Sequence, residues 1–481
     1  MITDLRAADW STPAVVLKFD QNVLHHGSLG VIRSLGRLGV PVYGVHEGAW
    51  APAASSRYLA GRFFWQPRPD DPQRTLSGLF DLASQIGRRA VLYATDDAGA
   101  IFLAEHGDVL REAFAFPRPA ADLPRRLAGK YSMFQLCRDL GVPTPQAMLA
   151  WSPGEAAAFA GQAGFPLIAK LTTPWRGTAG PRLRSTTIVR TPSELQEIWA
   201  CAHETSTGLM LQEYIPPAPG QDWFFHGYFD PASRCQTAFT GVKDRSYPAY
   251  AGLTSLGRAV PNSRLREQVT AMAATIGFRG ILDLDLRFDP RDAQYKLLDF
   301  NPRLGAQFRL FTTGTGLDVV RAAYLDLTGQ PVAAGEMTRD RRFLVENYDP
   351  LGAVGYWRQG ELGLRSWVAS LRRVDEVAWL ARDDLRPFGL MCARMAWRGI
   401  SRRFRAGQSS ASQSIASQSG ADRSSAGQFS AGQSNARGPS ALLRAADGPR
   451  YRPGPRAARP VRREPDAWSH NTEFSNEGER V

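Results

Sequence analysis

The sequence reads as an α/β protein: an N-terminal parallel sheet of βαβ units, then a larger part that contains hairpins, a helical C-terminal appendage and a disordered tail. Three observations lead there. Short apolar runs alternate with helically spaced segments over the first hundred residues, the repetition that builds a parallel sheet. The stretch 280–307, GILDLDLRFDPRDAQYKLLDFNPRLGAQ, is two alternating runs joined by a polar turn, the pattern of a hairpin. Residues 408–435 are almost wholly Ser, Gln, Ala and Gly, a composition that cannot bury enough apolar surface to offset the entropy of ordering.

Taken in order, 14–19 is an apolar run, 27–38 has helical spacing after a Gly-Ser start, and 41–45 is apolar again. The segments 73–87, 89–94 and 97–106 continue as helix, strand and helix. The turn Gly27-Ser28-Leu29-Gly30 is suited to hold an anion at a helix start, but without a full G-x-G-x-x-G a tight turn is the preferred reading. His25 and His26 follow the first strand, where open α/β sheets place ligands, although a loop histidine is more often simply exposed. Lys130 stands at the mouth of a helix that Gly141 stops. The run 165–170 is an apolar strand ending in Lys170, and a buried amine there needs a partner, for which a phosphate is the obvious choice. Residues 172–183 carry the glycines and hydroxyls of a loop whose N–H groups suit a phosphate cradle, or of a plain hairpin connection. The strand 209–215 is stopped by Pro216 and Pro217. A second hairpin over 223–241 leads to the basic pair Lys243 and Arg245, suited to a carboxylate or a phosphoryl group or else to solvent, and 263–276 is a helix.

In the hairpin 280–307, period two puts Asp283 and Asp285 on one face of the first strand, and Asp299 and Asn301 on one face of the second. Carboxylate and amide oxygens so arranged suit a hard cation such as Mg²⁺. A solvated hairpin is the plainer alternative, but an aspartate followed by Asn-Pro-Arg after an apolar strand is odd for a wet face.

This stretch resembles the metal-binding signature of the ATP-grasp family, and the order of the other motifs resembles the same fold over about residues 15–331. The resemblance implies a Rossmann-like domain followed by an ATP-grasp fold of two α+β subdomains. It implies that Asp285, Asp299 and Asn301 hold Mg²⁺ or Mn²⁺, that Arg303 lies near an acyl phosphate, and that Asp283 is no ligand. It further implies that Lys130 and Lys170 meet the ATP phosphates and that Arg176, Gly177 and Gly180 are the working parts of a lid. The segment Gln212, Glu213, Tyr214 and Ile215 would read adenine, Asp222 the ribose hydroxyls, and Lys243 and Arg245 would serve the acceptor side with Arg303. The implied boundaries are 1–120, 121–335, 336–400 and 401–481 for the Rossmann-like domain, the ATP-grasp domain, the appendage and the tail. The implied activity is a ligase that activates a carboxylate with Mg-ATP and joins it to an amine; a phosphotransferase or a nucleotide-binding regulator would share the same ligands.

Composition narrows the setting. The four cysteines, Cys137, Cys201, Cys235 and Cys392, show no zinc or redox spacing, no apolar run is long enough to span a bilayer, and the N-terminus lacks a signal-peptide core. A cytoplasmic enzyme acting on small-molecule carboxylates and amines is expected, with a homodimer allowed for and no specific nucleic-acid partner. The formal net charge is +12, but from Ser401 onward 13 arginines stand against 7 acids, so half of the excess lies in the tail. A chain ending near Ile400 is therefore expected to fold and to bind nucleotide as the full chain does; insolubility or lost affinity on truncation would contradict it.

Overall fold

The computed structural model describes residues 5–173, 175, 186–204, 208–250, 252–399, 401 and 450–453. The N-terminal repetition folds as a parallel sheet of β1 (Ala14–Leu17), β2 (Val42–His46), β3 (Leu59–Phe64), β4 (Ala90–Ala94) and β5 (Phe114–Ala115), in the order β3-β2-β1-β4-β5. Growth reverses direction between β1 and β4, which makes their carboxyl ends the switch point where such sheets hold ligands. The helix Pro72–Ile86 begins where the Asp71 side chain accepts from the N–H of Arg74 and stops at Gly87, whose φ of 75° costs a glycine nothing. β3 was not among the expected strands.

A second sheet joins β6 (Ala147–Ala150), β7 (Leu167–Leu171), β8 (Thr186–Val189) and β9 (Leu209–Glu213), all antiparallel, in the order β6-β9-β7-β8. Helices Pro153–Ala163 and Pro192–Glu204 pack on it through Phe159, Leu195 and Ile198. The third sheet has β10 (Asp222–Phe229), β11 (Cys235–Tyr247), β12 (Leu253–Ala259), β13 (Gly280–Asp289), β14 (Gln294–Asn301), β15 (Arg342–Leu344) and β16 (Glu376–Val377), in the order β14-β13-β10-β11-β12-β15-β16. The expected hairpin is thus β13 and β14. Alternation divides β13 cleanly: Leu282, Leu284 and Leu286 face the helix Ser263–Thr275, while on the other face Ile281 and Asp283 look toward the N-terminal sheet and Asp285 toward the second sheet.

The part expected as a helical appendage carries helices Asp349–Arg358 and Leu364–Leu371 and also supplies β15 and β16 to the third sheet. Trp379 is fully buried in one core with Leu29, Ile32, Phe224, Phe311 and Phe343, so this segment seals the N-terminal sheet against the third sheet. Within the tail, β17 (Arg450–Pro453) pairs antiparallel with the edge strand β3, so the expectation of an unstructured tail does not extend to these four residues.

The seal carries a buried ion pair. Arg33, with no exposed surface, donates to Asp384 Oδ2 at 3.0 Å and to the carbonyls of Trp379 and Asp384 at 2.8 Å each. Burial lowers the arginine pKa, and Asp384 is the largest opposing influence. Removing one partner leaves an uncompensated buried charge, so Asp384→Ala is expected to cost about 3–5 kcal/mol in urea unfolding, and a loss under about 1 kcal/mol would contradict it.

Candidate functional site

The second and third sheets face one another across an open cleft. Ile168, Lys170, Thr186, Gln212, Glu213, Tyr214 and Ile215 line one wall, and Asp222, Lys243, Asp285, Arg287 and Asp299 line the other.

At its inner end Asp299 stands between two lysines. Lys170 comes from β7 and Lys130 from the start of helix Lys130–Asp139, and their Nζ atoms lie 3.1 and 3.0 Å from Asp299 Oδ1. Lys170 also donates to the carbonyl of Leu298 at 2.8 Å. That carbonyl is available because β14 bulges there: Asp299 pairs with Asp285 but Leu297 already pairs with Leu286, leaving Leu298 as the extra residue. Burial pushes the Asp299 pKa up, but Lys130 and Lys170 outweigh it and leave the carboxyl well below its ordinary value. Burial likewise works against the charge on both lysines; Asp299 and Asp97 raise Lys130 above its usual value, while Lys170, repelled by Lys130, stays below its own.

The period-two expectation for the acidic face holds in the register, where Asp283 lies opposite Asn301 and Asp285 opposite Asp299. Asp285 meets Lys243 Nζ at 2.7 Å; burial raises its pKa, Lys243 lowers it, and Asp283 and Asp299 add to the rise, so the carboxyl stays above its ordinary value. Asn301 donates its amide nitrogen to Asp283 at 3.4 Å, which leaves the amide oxygen as its free donor atom. Two carboxylates and an amide oxygen on facing strands are a donor set that fits a hard divalent cation. Among the described residues no three His, Cys, Asp or Glu side chains cluster as a metal site, so the donor set here is two carboxylates completed by the Asn301 amide.

Asp283 has another task. It accepts from Arg303 Nη1 at 3.0 Å and lies 3.2 Å from His226 Nε2, while Arg303 Nε lies 3.3 Å from Asp97 at the switch point of the N-terminal sheet. The chain passes over this group at Gly305, where a Cβ would come within 2.2 Å of the His226 ring and 2.6 Å of the Asp283 carboxyl carbon. Burial depresses the His226 pKa, with Asp283 acting against it and Arg303 with it. Sequence reasoning missed His226 and Asp97; the alternation of β10, which puts His226 on the face of Phe224, was the available signal for the first.

Three expected residues are placed differently. Arg245 does not accompany Lys243. A bulge at Asp244, where Lys243 pairs with Gly257 and Arg245 with Leu256, puts their side chains on opposite faces. Arg245 instead forms a buried pair with Asp349, at 2.8 and 3.0 Å, and anchors the C-terminal helices. Asp222 lines the cleft, but Arg287 holds its carboxylate with two bonds of 2.5 and 3.0 Å. The Ile215 carbonyl is likewise taken by Arg287, at 2.8 Å, whereas Gln212 is buried with its side-chain nitrogen unpartnered. Glu213 pairs with Arg291 at 2.7 Å. Arg176, Gly177 and Gly180 lie outside the described residues. His25 is partly buried beside the switch point, with its pKa well below the usual value through burial and then the charges of His26, Lys18 and Arg303.

No family model matches the chain. The D-aspartate ligase of Enterococcus faecium (strain Aus0004) is 23% identical over 252 residues, which are 50% of this chain and 58% of that protein. The chain therefore spans under two thirds of that relative's length. Among solved structures, the N5-carboxyaminoimidazole synthetase of Staphylococcus aureus complexed with ADP superposes with a TM-score of 0.52 at 13% identity, covering 70% of this chain and 83% of the other. The biotin carboxylase domain dimer of the Hydrogenobacter thermophilus 2-oxoglutarate carboxylase, complexed with MgADP, ADP and bicarbonate, gives 0.50 at 16% identity over 69% and 74%. The fold is ATP-grasp. In this ATP-grasp fold the cleft lies between the second and third sheets, and Arg303 reaches from the third sheet to the N-terminal sheet.

Because Asp299 is the shared counter-charge of two buried lysines, Asp299→Asn is expected to lower the stability of the protein without nucleotide by about 3 kcal/mol while leaving it folded. Unchanged urea unfolding would show that the lysines are neutralised by something else.

Proposed function

We propose that the chain is an ATP-dependent ligase that activates a carboxylate as an acyl phosphate and joins it to an amine. The observation that carries this is the convergence of Lys130 and Lys170 on Asp299, directly opposite Asp285 and beside Asn301. Cations for phosphates and oxygen donors for a divalent cation meet at one end of the cleft. The name of the D-aspartate ligase relative and the ADP- and MgADP-bound neighbours support the same reading.

In this reading Asp285, Asp299 and Asn301 hold Mg²⁺ or Mn²⁺, which, when bound, neutralises phosphate charge as the γ-phosphoryl group moves. Lys130 and Lys170 bind phosphate oxygens, and the buried Gln212 amide, with the Glu213–Ile215 backbone, orients the adenine. The acceptor carboxylate attacks the γ-phosphorus and ADP leaves; the amine then attacks the acyl carbon, phosphate leaves, and a proton is released. Arg303, held between Asp97 and Asp283, is the cation placed toward the acyl phosphate, and Lys243 holds Asp285 in position. No covalent intermediate with the protein is needed, so positioning and charge neutralisation supply the rate. The same reading goes with small-molecule substrates, a cytoplasmic setting and an assembly for which a homodimer is allowed; among the described residues no helix is long and apolar enough to cross a membrane.

The test is ADP release with Mg-ATP against a matrix of acids and amines, with the product mass measured. Slow release with Mg-ATP alone, and release accelerated by one acid and amine pair with a matching amide, is the expected result. Asp299→Asn should lower that rate by about two or more orders of magnitude. A stable phosphorylated small molecule, formed whatever amine is supplied, would establish a phosphotransferase instead.

A further inference from the structure

The helix spanning 386–399 packs onto the body through Phe388, Met391 and Met395, residues spaced along one face. Its opposite face repeats at helical intervals as Arg386, Leu390, Ala393 and Trp397. Trp397 is 70% exposed, and Trp50, on the turn after β2, is 72% exposed. Arg394, one helical turn before Trp397, donates to the Trp50 carbonyl at 2.9 Å and so ties this helix to the Trp50 turn. An isolated exposed apolar residue needs no explanation, but two of the largest side chains flanking one arginine do.

The charge around them has one sign. From 386 to 405 the sequence has six arginines, Arg386, Arg394, Arg398, Arg402, Arg403 and Arg405, and no acid until Asp422. The acids that precede the helix are already engaged: Asp384 inside the body by Arg33, and Asp383 by Arg37 at 2.9 and 3.0 Å and by Tyr58 at 2.6 Å. The helix 386–399 thus presents Arg386, Arg394 and Arg398 with no acid among them, beside the exposed Trp397. Indoles settle at the boundary between headgroups and acyl chains, and arginines beside them meet lipid phosphates.

We propose that this face docks the protein on an anionic lipid surface, with Trp50 and Trp397 entering the interface and Arg386, Arg394 and Arg398 pairing with headgroup phosphates. Single-stranded nucleic acid would also meet arginine and indole. The half-buried Leu390 and the exposed Ala393 continue the Trp397 face with apolar surface, which favours the lipid, since that surface meets an acyl boundary and offers a nucleic-acid backbone nothing. The binding is peripheral and independent of the catalytic cleft.

Sedimentation of the full chain with vesicles of phosphatidylcholine alone, and of phosphatidylcholine mixed equally with phosphatidylglycerol, tests it. Binding to the anionic vesicles is expected to exceed that to neutral ones by about tenfold or more and to weaken as salt screens the charges. The Trp50→Ala/Trp397→Ala variant should lose about tenfold of that binding with its melting temperature unchanged, as both rings are exposed. Arg386→Glu/Arg398→Glu, which alters only exposed charge, should lose as much. Equal binding to both vesicles, none to either, or undiminished binding by both variants overturns the proposal. So does an unstructured single-stranded oligonucleotide that binds the wild type more tightly than the anionic vesicles do and is lost in the same variants.

Discussion

Asp299 on β14 is met by Lys170 from the facing sheet and by Lys130 from the helix start beside it, and the three charges close the inner end of the cleft. Burying an ammonium group costs several kcal/mol unless an opposite charge and hydrogen bonds replace water. Here one carboxylate serves two ammonium groups, and the Leu298 carbonyl supplies what it cannot. The arrangement continues outward with alternating sign, from Asp285 and Lys243 to Asp283, Arg303 and Asp97. All three sheets therefore contribute to one charge lattice, and each depends on the others to keep its ionised groups compensated.

Two bulges decide which charges take part. The extra residue at Leu298 turns a carbonyl toward Lys170 while Leu297 returns to the core. The extra residue at Asp244 leaves Lys243 facing the cleft and sends Arg245 to the far side, where it binds Asp349. A one-residue insertion in a ladder exchanges faces for everything beyond it, and here it splits a basic pair between the cleft and the support behind it.

The segment after Leu327 supports the site from behind. Asp349 receives Arg245, Trp367 and Ser255, and Tyr356 packs edge-on against Tyr250, whose carbonyl in turn accepts from Arg287. Arg287 holds Asp222 and the Ile215 carbonyl, so the outer wall of the cleft is tied to these helices through Arg287, Tyr250 and Tyr356. With Trp379 and the Arg33–Asp384 pair at the other side, this part of the chain joins the N-terminal sheet to the third sheet.

Periodicity determined the parallel N-terminal sheet and the hairpin, because side-chain alternation and helical spacing are local properties that burial selects directly. It also placed Asp283, Asp285, Asp299 and Asn301 on one face, and an apolar strand ending in Lys170 already demanded a partner for its amine. The partner itself was beyond local reasoning: Lys170 meets a residue 129 positions away. So were the bulge that separates Arg245 from Lys243, the arginine that occupies Asp222, and the buried His226 beneath Gly305. Each depends on which strand lies alongside and in what register, and that choice is made by the packing of whole sheets. The sequence shows which charges must be compensated; only the tertiary structure decides by whom.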